Sequence, residues 1–371
     1  MLVVGEASGD IHGAQLAKRL YQCDPTLDIC GVAGESLKRE GITVLFDVAR
    51  LTGMGLAEVM GNLKPLWQAY RLLQRFLRDQ RPDLLILIDF PEFNLRLARL
   101  AKHLEIPVLY YVSPQVWAWR RGRTRKIARW VSQMAVVFPF EVPLYEKEGA
   151  RVTFVGHPLL DIVHPTQPRD ATLGRHGLDP IRQTIALLPG SRRSEVAYLL
   201  PPMLQAADLL SRQMEIQFVL IRASTVQRRQ LDAMLARASV PVCIVEGDAY
   251  NVLNASDLAW VASGTATLEA ALLGKPMIIV YRLARLTYAL ARLLVRVKHI
   301  GMVNIVAGDR VVPELIQGDA TGERILAETQ RILTDTHLRQ QMIKRLGEVR
   351  ERLGSPGAPA RVAEIALSLM G

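Results

Sequence analysis

Residues 189–193 read PGSRR, directly after the apolar run TIALL and directly before a long helical pattern. Backbone N–H groups at the start of a helix attract anions, and a neighbouring arginine adds a guanidinium that binds phosphate oxygens. Gly190, Ser191 and Arg192 therefore predict a diphosphate site at the end of a buried strand.

A second stretch, SGTATLEAALLGKP at 263–276, has the same organisation. Ser263, Gly264 and Thr265 open a helix, and Glu269 follows within its first two turns. A carboxylate at that depth is able to accept two ribose hydroxyls when the phosphates lie on the helix N-terminus. Two such motifs, without a metal-ligand cluster or a P-loop lysine, favour a nucleotide-sugar over ATP. The alternative for either motif alone is an ordinary capped helix.

The run LLILIDFPEFN places Asp89 at the end of a central apolar strand, 84–89. Charged residues seldom end such a strand without an ionic partner or a task. Asp89 is thus a candidate catalytic residue, and the structural alternative is an aspartate that caps a helix beginning near Asn94.

The first loop, GEASGDIHGA, contains three glycines that allow a tight turn and the close approach of a ligand. Ser8 and Asp10 are able to cap the helix that follows. The spacing matches neither GxGxxG, a P-loop nor the GxSxG nucleophile elbow, so a capped turn remains the alternative to a binding site.

Two segments combine tryptophans with clustered cations. SPQVWAWRRGRTRKIARW at 113–130 sets three indoles among six cations, and a helix read from Pro65 gathers basic residues on one side and apolar residues on the other. We expect segments 64–78 and 117–129 to form one surface for an anionic membrane, against the alternative of a solvated face. Its expected members are Lys64, Trp67, Arg71, Arg75, Arg78, Trp117, Trp119 and Arg120. A second basic cluster is expected from Arg282, Arg285, Arg292 and Arg296.

Near-continuous apolar strands alternate with helical patterns along the chain, which predicts parallel sheets covered by helices on both faces. Examples are LVV at 2–4, PVLYYV at 107–112 and IQFVLI at 216–221. The proline-rich stretch 156–170 is typical of a linker, so we expect two doubly wound α/β domains. Ligands then bind beyond the carboxyl ends of the strands, where the motifs above lie.

The amino-acid composition of the chain limits the kinds of partner that the protein is expected to bind. Half of the 371 residues are apolar and the net charge is +10, which favours a polyanionic partner for a globular protein. Three widely spaced cysteines indicate reduced packing residues and no zinc site. The N-terminus does not have the pattern of a signal peptide, and no apolar window is long enough to span a membrane.

Taken together, the blocks GEASGDxHGA, MGxxEV, IDFPEFNxRLA, YYVSPQVWAWR, VGHP, LLPGSRxxEV, SGTATLEAAL and PELIQ resemble the lipid-A-disaccharide synthase family, glycosyltransferase family 19. The blocks occur in the family's order from the first strand to about residue 320. The resemblance implies a GT-B fold, in which two Rossmann-like domains face each other across a cleft. It also suggests that a few residues precede Met1 in the native protein.

The implied reaction is metal-independent and needs no cofactor: UDP-2,3-diacylglucosamine and lipid X (2,3-diacylglucosamine 1-phosphate) give a β-1,6 disaccharide 1-phosphate and UDP. It takes place in the cytoplasm, at the inner face of the inner membrane. The implied domains are an acceptor- and membrane-facing domain at 1–160, a linker at 161–175 and a UDP-sugar domain at 176–345. Helices at 346–371 would return to the N-terminal domain, and a homodimer is compatible with this organisation.

The resemblance also implies residue roles. Asp89 is favoured as the general base and Asp10 is the second candidate, while Arg192 stabilises the leaving UDP. Ser8, Gly9 and Asn304 are expected to contact substrate. Alternative enzymes are the lipid-II transferase and the UDP-N-acetylglucosamine 2-epimerase types. A nucleic-acid-binding protein fits only the charge, since the aromatics form no stacking pattern for bases.

Overall fold

The computed structural model describes residues 1–52, 64–114, 116–117, 121–284, 288 and 298–371. They form two compact units, one from Met1–Pro158 with Leu353–Gly371, and the other from Leu159–Arg352. Each unit is organised around its own parallel sheet.

The N-terminal unit contains a seven-stranded sheet in the described part of the chain. Its strands are β1 (Leu2–Val4), β2 (Cys30–Ala33), β3 (Thr43–Asp47), β4 (Leu85–Ile88), β5 (Val108–Tyr111), β6 (Gln133–Val136) and β7 (Val152–Phe154). All neighbours are parallel, in the order β3-β2-β1-β4-β5-β6-β7. The strand order therefore reverses between β1 and β4, which is the switch point of a doubly wound fold.

The helices of this unit follow its strands. They are α1 (Ala7–Cys23), α2 (Glu35–Arg39), α3 (Ala49–Thr52), α4 (Lys64–Asp79), α5 (Pro91–His103), α6 (Thr124–Trp130) and α7 (Val142–Glu146). Pro91 suits the first position of α5, because the N–H that proline lacks has no partner within the helix at that position. The last helix of the chain, α16 (Ala358–Met370), packs against α1.

The second unit repeats this topology. Its strands are β8 (Gln183–Leu188), β9 (Ile216–Ile221), β10 (Val242–Val245), β11 (Leu258–Ala262), β12 (Met277–Tyr281) and β13 (Glu314–Ile316). The parallel order β10-β9-β8-β11-β12-β13 reverses between β8 and β11. The prediction of two doubly wound Rossmann-like units is confirmed.

The helices of the second unit cover this sheet. They are α8 (Arg169–Arg175), α9 (Arg193–Ser211), α10 (Arg228–Leu235), α11 (Ala249–Ala255), α12 (Ala266–Leu272), α13 (Met302–Ala307), α14 (Gly322–Thr334) and α15 (Thr336–Arg352). α8 lies inside the segment predicted to be a linker. Thr172 and Leu173 of α8 are buried, and the helix packs against α11.

The cores are dominated by the central strands. β1, β4, β5 and β11 are buried along their whole length, and Trp260 of β11 donates its indole N–H to Thr329 Oγ1 at 2.9 Å. The described helices include none that is both long and apolar enough to cross a bilayer.

Candidate functional site

The switch point of the N-terminal unit brings Gly5 and Asp89 together. Val4 and Ile88 are partners in the β1–β4 ladder, so the residues that follow these two strands leave the sheet side by side. A Cβ atom on Gly5 would lie 2.0 Å from Cγ of Phe90, so only glycine allows the ring of Phe90 to pack there. This contact fixes the path of the loop that carries Asp89.

Asp89 lies in a strained turn between β4 and α5. Both Asp89 and Phe90 have a φ of 49°, a left-handed conformation that is costly for residues other than glycine, above all for a bulky one. Asp89 does not cap α5, because the helix begins at Pro91 and its N-cap is Phe90. A strained backbone that holds a carboxylate at the switch point is typical of a functional site.

The surroundings of Asp89 disfavour its charged form. Burial, reinforced by the negative charge of Glu6, raises the pKa of Asp89 to about 6, although the N–H of Phe90 acts in the opposite direction. A carboxylate with a pKa close to the working pH is suited to general base catalysis, because it is ionised and still accepts a proton readily.

The backbone at Asp89 is fixed by hydrogen bonds from two side chains, Asn94 and Tyr110. Neither of them was assigned a role from the sequence. Asn94 donates from Nδ2 to the carbonyl oxygens of Ile88 (3.2 Å) and Asp89 (2.7 Å), and Tyr110 donates its hydroxyl to Asp89 O at 2.5 Å. Asn94 is fully buried, and Tyr110 ends up beside Asp89 because β5 pairs with β4. The only sequence signal for them was a polar group within each apolar pattern.

Asp10 has a structural role, which corrects its assignment as second candidate for the base. Its side chain is buried and accepts N–H groups from Gly34 (2.6 Å), Ser36 (2.8 Å) and Leu37 (3.4 Å), at the start of α2. The expected capping of the helix after the first loop is also wrong, since α1 already begins at Ala7. Asp10 instead caps α2 from a neighbouring element.

Ser8 and Gly9 lie in the first turn of α1, next to the switch point. Ser8 is exposed, whereas Gly9 is buried against Val4 and Ile88 at ordinary contact distances for an added Cβ. Ser8 is therefore free to contact a ligand through its hydroxyl, and Gly9 contributes the close packing of α1 on the sheet.

In the second unit, the two predicted phosphate motifs follow adjacent strands. Leu188 and Val261 are partners in the β8–β11 ladder, so the PGSRR turn and the segment from Ser263 both leave the sheet at its switch point. The topology thus brings together two motifs that are more than 70 residues apart in the sequence. Their neighbourhood supports a single site for one ligand.

The PGSRR turn is occupied by a carboxylate of the protein itself. Oε2 of Glu195 accepts the N–H groups of Ser191 (3.0 Å) and Arg192 (3.2 Å), and Oε1 lies 3.5 Å from Nη1 of Arg192. A Cβ on Gly190 would lie 2.5 Å from the same Oε2. The prediction that the Ser191 N–H is available for phosphate is therefore wrong for this conformation, because Glu195 fills the position.

The second motif opens α12 as expected. Thr265 is the N-cap, Gly264 has a φ of 140°, and Ser263 donates its hydroxyl to Ile300 O at 2.9 Å. Glu269 accepts the hydroxyl of Tyr250 at 3.3 Å, and burial raises the pKa of Glu269. A ribose with two hydroxyl donors would stabilise the charged form of Glu269, so its position remains compatible with the predicted role.

Asn304 serves the fold, which corrects its assignment to substrate contact. The residue is fully buried in α13. Its Oδ1 accepts the N–H groups of Val311 (2.8 Å) and Val312 (3.0 Å), while Nδ2 donates to Val312 O (3.0 Å) and Glu314 Oε1 (2.9 Å). All of its hydrogen-bonding capacity is used within the protein.

The basic surface of α4 forms as predicted from periodicity. Trp67 is 54% exposed, and the guanidinium of Arg71 lies 3.9 Å from the centre of its ring. The apolar side of the helix is anchored by the buried Ala69, Leu73 and Leu77. The other cations of this surface, Lys64, Arg75 and Arg78, are also exposed.

Trp117 belongs to the core, so its assignment to the membrane surface is wrong. It is 7% exposed and packs edge-on against Phe140 with ring centroids 5.3 Å apart. The nearby Glu141 is also buried, and burial raises its pKa to about 8. Several other members of the predicted patterns lie outside the described residues: Trp119, Arg120, Arg285, Arg292, Arg296 and the MGxxEV block at 54–59.

The described residues contain no group of three or more His, Cys, Asp or Glu side chains that is able to hold a metal ion. At the second switch point, Arg192 is paired with Glu195 in this conformation, and helix N-termini add partial positive charge.

Comparisons with known proteins agree with this architecture. A family model described as lipid-A-disaccharide synthetase matches residues 1–359. The chain is 48% identical to the lipid-A-disaccharide synthase of Geobacter metallireducens, over all of this chain and 97% of that protein. It is 44% identical to the lipid-A-disaccharide synthase of Nitrosococcus oceani, over all of this chain and 95% of that protein.

Solved structures with much lower sequence identity share the fold. The S. aureus MnaA–UDP co-structure matches with a TM-score of 0.68 at 14% identity, over 100% of this chain and 96% of that one. The glycotransferase of kitacinnamycin matches with a TM-score of 0.67 at 15% identity, over 100% and 98% of the two chains. These similarities establish the GT-B fold. With the full-length family match, they show that the chain belongs to the lipid-A-disaccharide synthase family, the glycosyltransferases of lipid A biosynthesis.

Proposed function

We propose that the chain transfers 2,3-diacylglucosamine from UDP-2,3-diacylglucosamine to the 6-hydroxyl of 2,3-diacylglucosamine 1-phosphate. Asp89 removes the hydroxyl proton while the acceptor oxygen forms its bond to the anomeric carbon and the bond from that carbon to UDP breaks. The products are the β-1,6-linked disaccharide 1-phosphate and UDP. Family membership supports the reaction class. The half-buried carboxyl group of Asp89, with its raised pKa and its left-handed backbone, is the observation that carries the mechanism.

Departure of UDP requires stabilisation of the negative charge that develops on its diphosphate. Arg192 and the N-terminus of α9 would supply this positive charge at the second switch point, and Glu269 would accept the ribose hydroxyls. For the diphosphate to reach the Ser191 N–H, Glu195 has to turn away, because two carboxylate or phosphate oxygens cannot share that position. Donor binding therefore exchanges an internal anion for the diphosphate of the substrate.

The direct test is incubation with UDP-2,3-diacylglucosamine and 2,3-diacylglucosamine 1-phosphate, followed by mass spectrometry of the disaccharide. Asp89→Asn keeps the shape but removes the base, so turnover should fall about 10²–10⁴-fold with UDP affinity nearly unchanged. Asp10→Asn is the matched control, and it should lower the melting temperature because Asp10 caps α2. If Asp89→Asn retained full turnover, the assignment of the base would be wrong.

We further propose that the basic surface of α4 docks on the cytoplasmic face of the inner membrane. Four cations and an exposed indole on one side of a helix suit the headgroup region of anionic phospholipids, each cation near the surface contributing about 1 kcal/mol. Within the described chain, this exposed indole distinguishes α4 from an ordinary solvated helix. Docking there would allow a lipid-borne acceptor to reach the enzyme without leaving the bilayer.

Reversing Arg71, Arg75 and Arg78 to glutamate should release the protein from anionic liposomes and slow it on vesicle-borne acceptor. Activity on detergent-dispersed substrate should survive. The matched control reverses three exposed cations elsewhere in the same unit: Lys18, Arg19 and Lys147. Unchanged liposome binding by the α4 variant would show that the anchor lies elsewhere.

A further inference from the structure

A groove of about 760 Å³ runs between α9 and α10 in the second unit. It begins beside Arg193 at the start of α9 and extends past α10 to Arg237 and Ser239. The two helices follow β8 and β9, which are neighbours in the sheet. The groove therefore lies along the flank of the unit, and its lining includes none of the residues assigned above to donor or acceptor.

Three arginines line this groove without an acidic partner. Arg193, Arg229 and Arg237 are exposed, and none of them forms an ion pair with a described residue. Nearby arginines are paired, as shown by Arg212 with Asp208 (2.6 Å), Arg222 with Glu246 (2.5 Å) and Arg228 with Asp232 (2.9 Å). Asp208 is the one acidic residue in the lining, and it is paired with Arg212, so the three arginines give the groove a net positive charge.

Between these cations the lining is partly apolar. Pro201 and Leu204 of α9 face Ala233 and Met234 of α10, and Leu204 and Met234 are only half-buried. Half-buried aliphatic side chains flanked by unpaired guanidinium groups suit a ligand that has both a hydrocarbon part and an anionic group. Methionine adapts its shape readily to a flexible apolar ligand.

We propose that this groove binds an anionic phospholipid, with an acyl chain against Leu204 and Met234 and the phosphate on the arginines. A nucleic acid fits less well, since the groove has no aromatic side chain on which bases stack. The site would give the second unit its own contact with lipid, independent of the surface of α4. The proposal does not depend on Asp89 or on the reaction assigned to it.

The test is photolabelling of the full chain in non-ionic detergent micelles that contain phosphatidylglycerol with a photoreactive acyl chain. Micelles remove the need for docking through α4. Labelled peptides are expected to come from residues 201–208 and 229–239. Arg229→Gln with Arg237→Gln should reduce that labelling about 30-fold, from the contribution of two cations near anionic lipid. The matched control neutralises Arg331 and Lys344, which are exposed on α14 and α15 outside the groove.

Three further outcomes decide the ligand. Leu204→Ser with Met234→Ser should also reduce labelling while the arginines remain, and a melting temperature close to that of the parent shows that the variant is folded. Equal labelling by photoreactive phosphatidylcholine would overturn the requirement for net negative charge. Competition by glycerol phosphate as strong as that by phosphatidylglycerol would overturn the lipid assignment in favour of a free phosphate site.

Discussion

Lowering the pH from 7 to 5 should lower kcat/KM about tenfold, because Asp89 must be ionised to act as the proposed base. Burial and the charge of Glu6 raise the pKa of Asp89 to about 6. The active carboxylate is therefore lost as the pH falls through that value. The rate should therefore be retained above pH 6 and lost below it.

The expected size follows from the ionised fraction. A carboxyl with a pKa near 6 is about 90% ionised at pH 7 and about 10% ionised at pH 5. An ordinary exposed aspartate, with a pKa of about 3.9, would still be about 90% ionised at pH 5. The two cases differ almost tenfold in rate at that pH, which is well above the error of a kinetic assay.

Variants of Glu6 test whether its negative charge raises the pKa of Asp89. Its side chain makes no capping hydrogen bond to α1, so Glu6→Gln removes the charge and leaves the start of the helix intact. The acid limb should then move to lower pH, because the smaller of the two causes of the raised pKa is gone while burial remains. Glu6→Asp keeps the charge and should leave the limb closer to that of the parent.

The assay is kcat/KM against pH, because this ratio reports the pKa of the free enzyme. Buffers are of constant ionic strength, and the disaccharide is measured by mass spectrometry. The residual rate of Asp89→Asn over the same range controls for titration of the acceptor phosphate. Melting temperatures at each pH control for unfolding. A midpoint near 4 in the parent, or the same acid limb in Asp89→Asn, would refute the assignment of this titration to Asp89.

Other consequences concern the donor, metal ions and stability. Glu269→Ala should raise the donor KM about tenfold through lost ribose contacts, and an effect confined to the acceptor KM would contradict this. Arg192→Ala should also lower kcat, by about 100-fold, because charge on the leaving group develops in the transition state. EDTA should leave the rate unchanged if Arg192 and helix N-termini stabilise UDP, and strict dependence on magnesium would exclude that mode. Burial raises the pKa of Glu141 to about 8, so its burial costs stability progressively as the pH rises from about 4.5 to 8. Glu141→Gln should therefore melt at a higher temperature than the parent at pH 9, with little difference at pH 4.5.

The fold was largely predictable because parallel strands have a strong local signal. β4 and β11 are fully buried, and their apolar runs identify them without knowledge of their neighbours. β2, β3, β7 and β13 were not predicted. β3, β7 and β13 are only partly buried, so their apolar patterns are weak. The helix α8 was missed because the prolines before it suggested a linker.

The roles of individual polar residues were less predictable, because they depend on partners from distant segments. Asp10 and Asp89 both follow strands, and nothing local distinguishes a candidate base from a helix cap. The difference arises because Gly34, 24 residues further along, brings its N–H to within 2.6 Å of Asp10. Asn304 shows the same limit at shorter range: its amide bonds to Val311 and Val312, 7 and 8 residues further along, in a loop whose path the sequence pattern does not predict.

Two tryptophans of the predicted membrane surface, Trp67 and Trp117, lie within the described residues and show the same limit and its physical origin. Trp67 lies on a helix, where a period of 3.6 residues predicts which side faces solvent, and the indole is indeed exposed. Trp117 lies in a segment without such a period, so the surrounding cations were its only signal. Its position is decided by Phe140, which follows the next strand of the sheet and offers an aromatic face to pack against. A cluster of charged residues therefore predicts which neighbouring side chains are exposed only when a regular helix or strand determines the direction of those side chains.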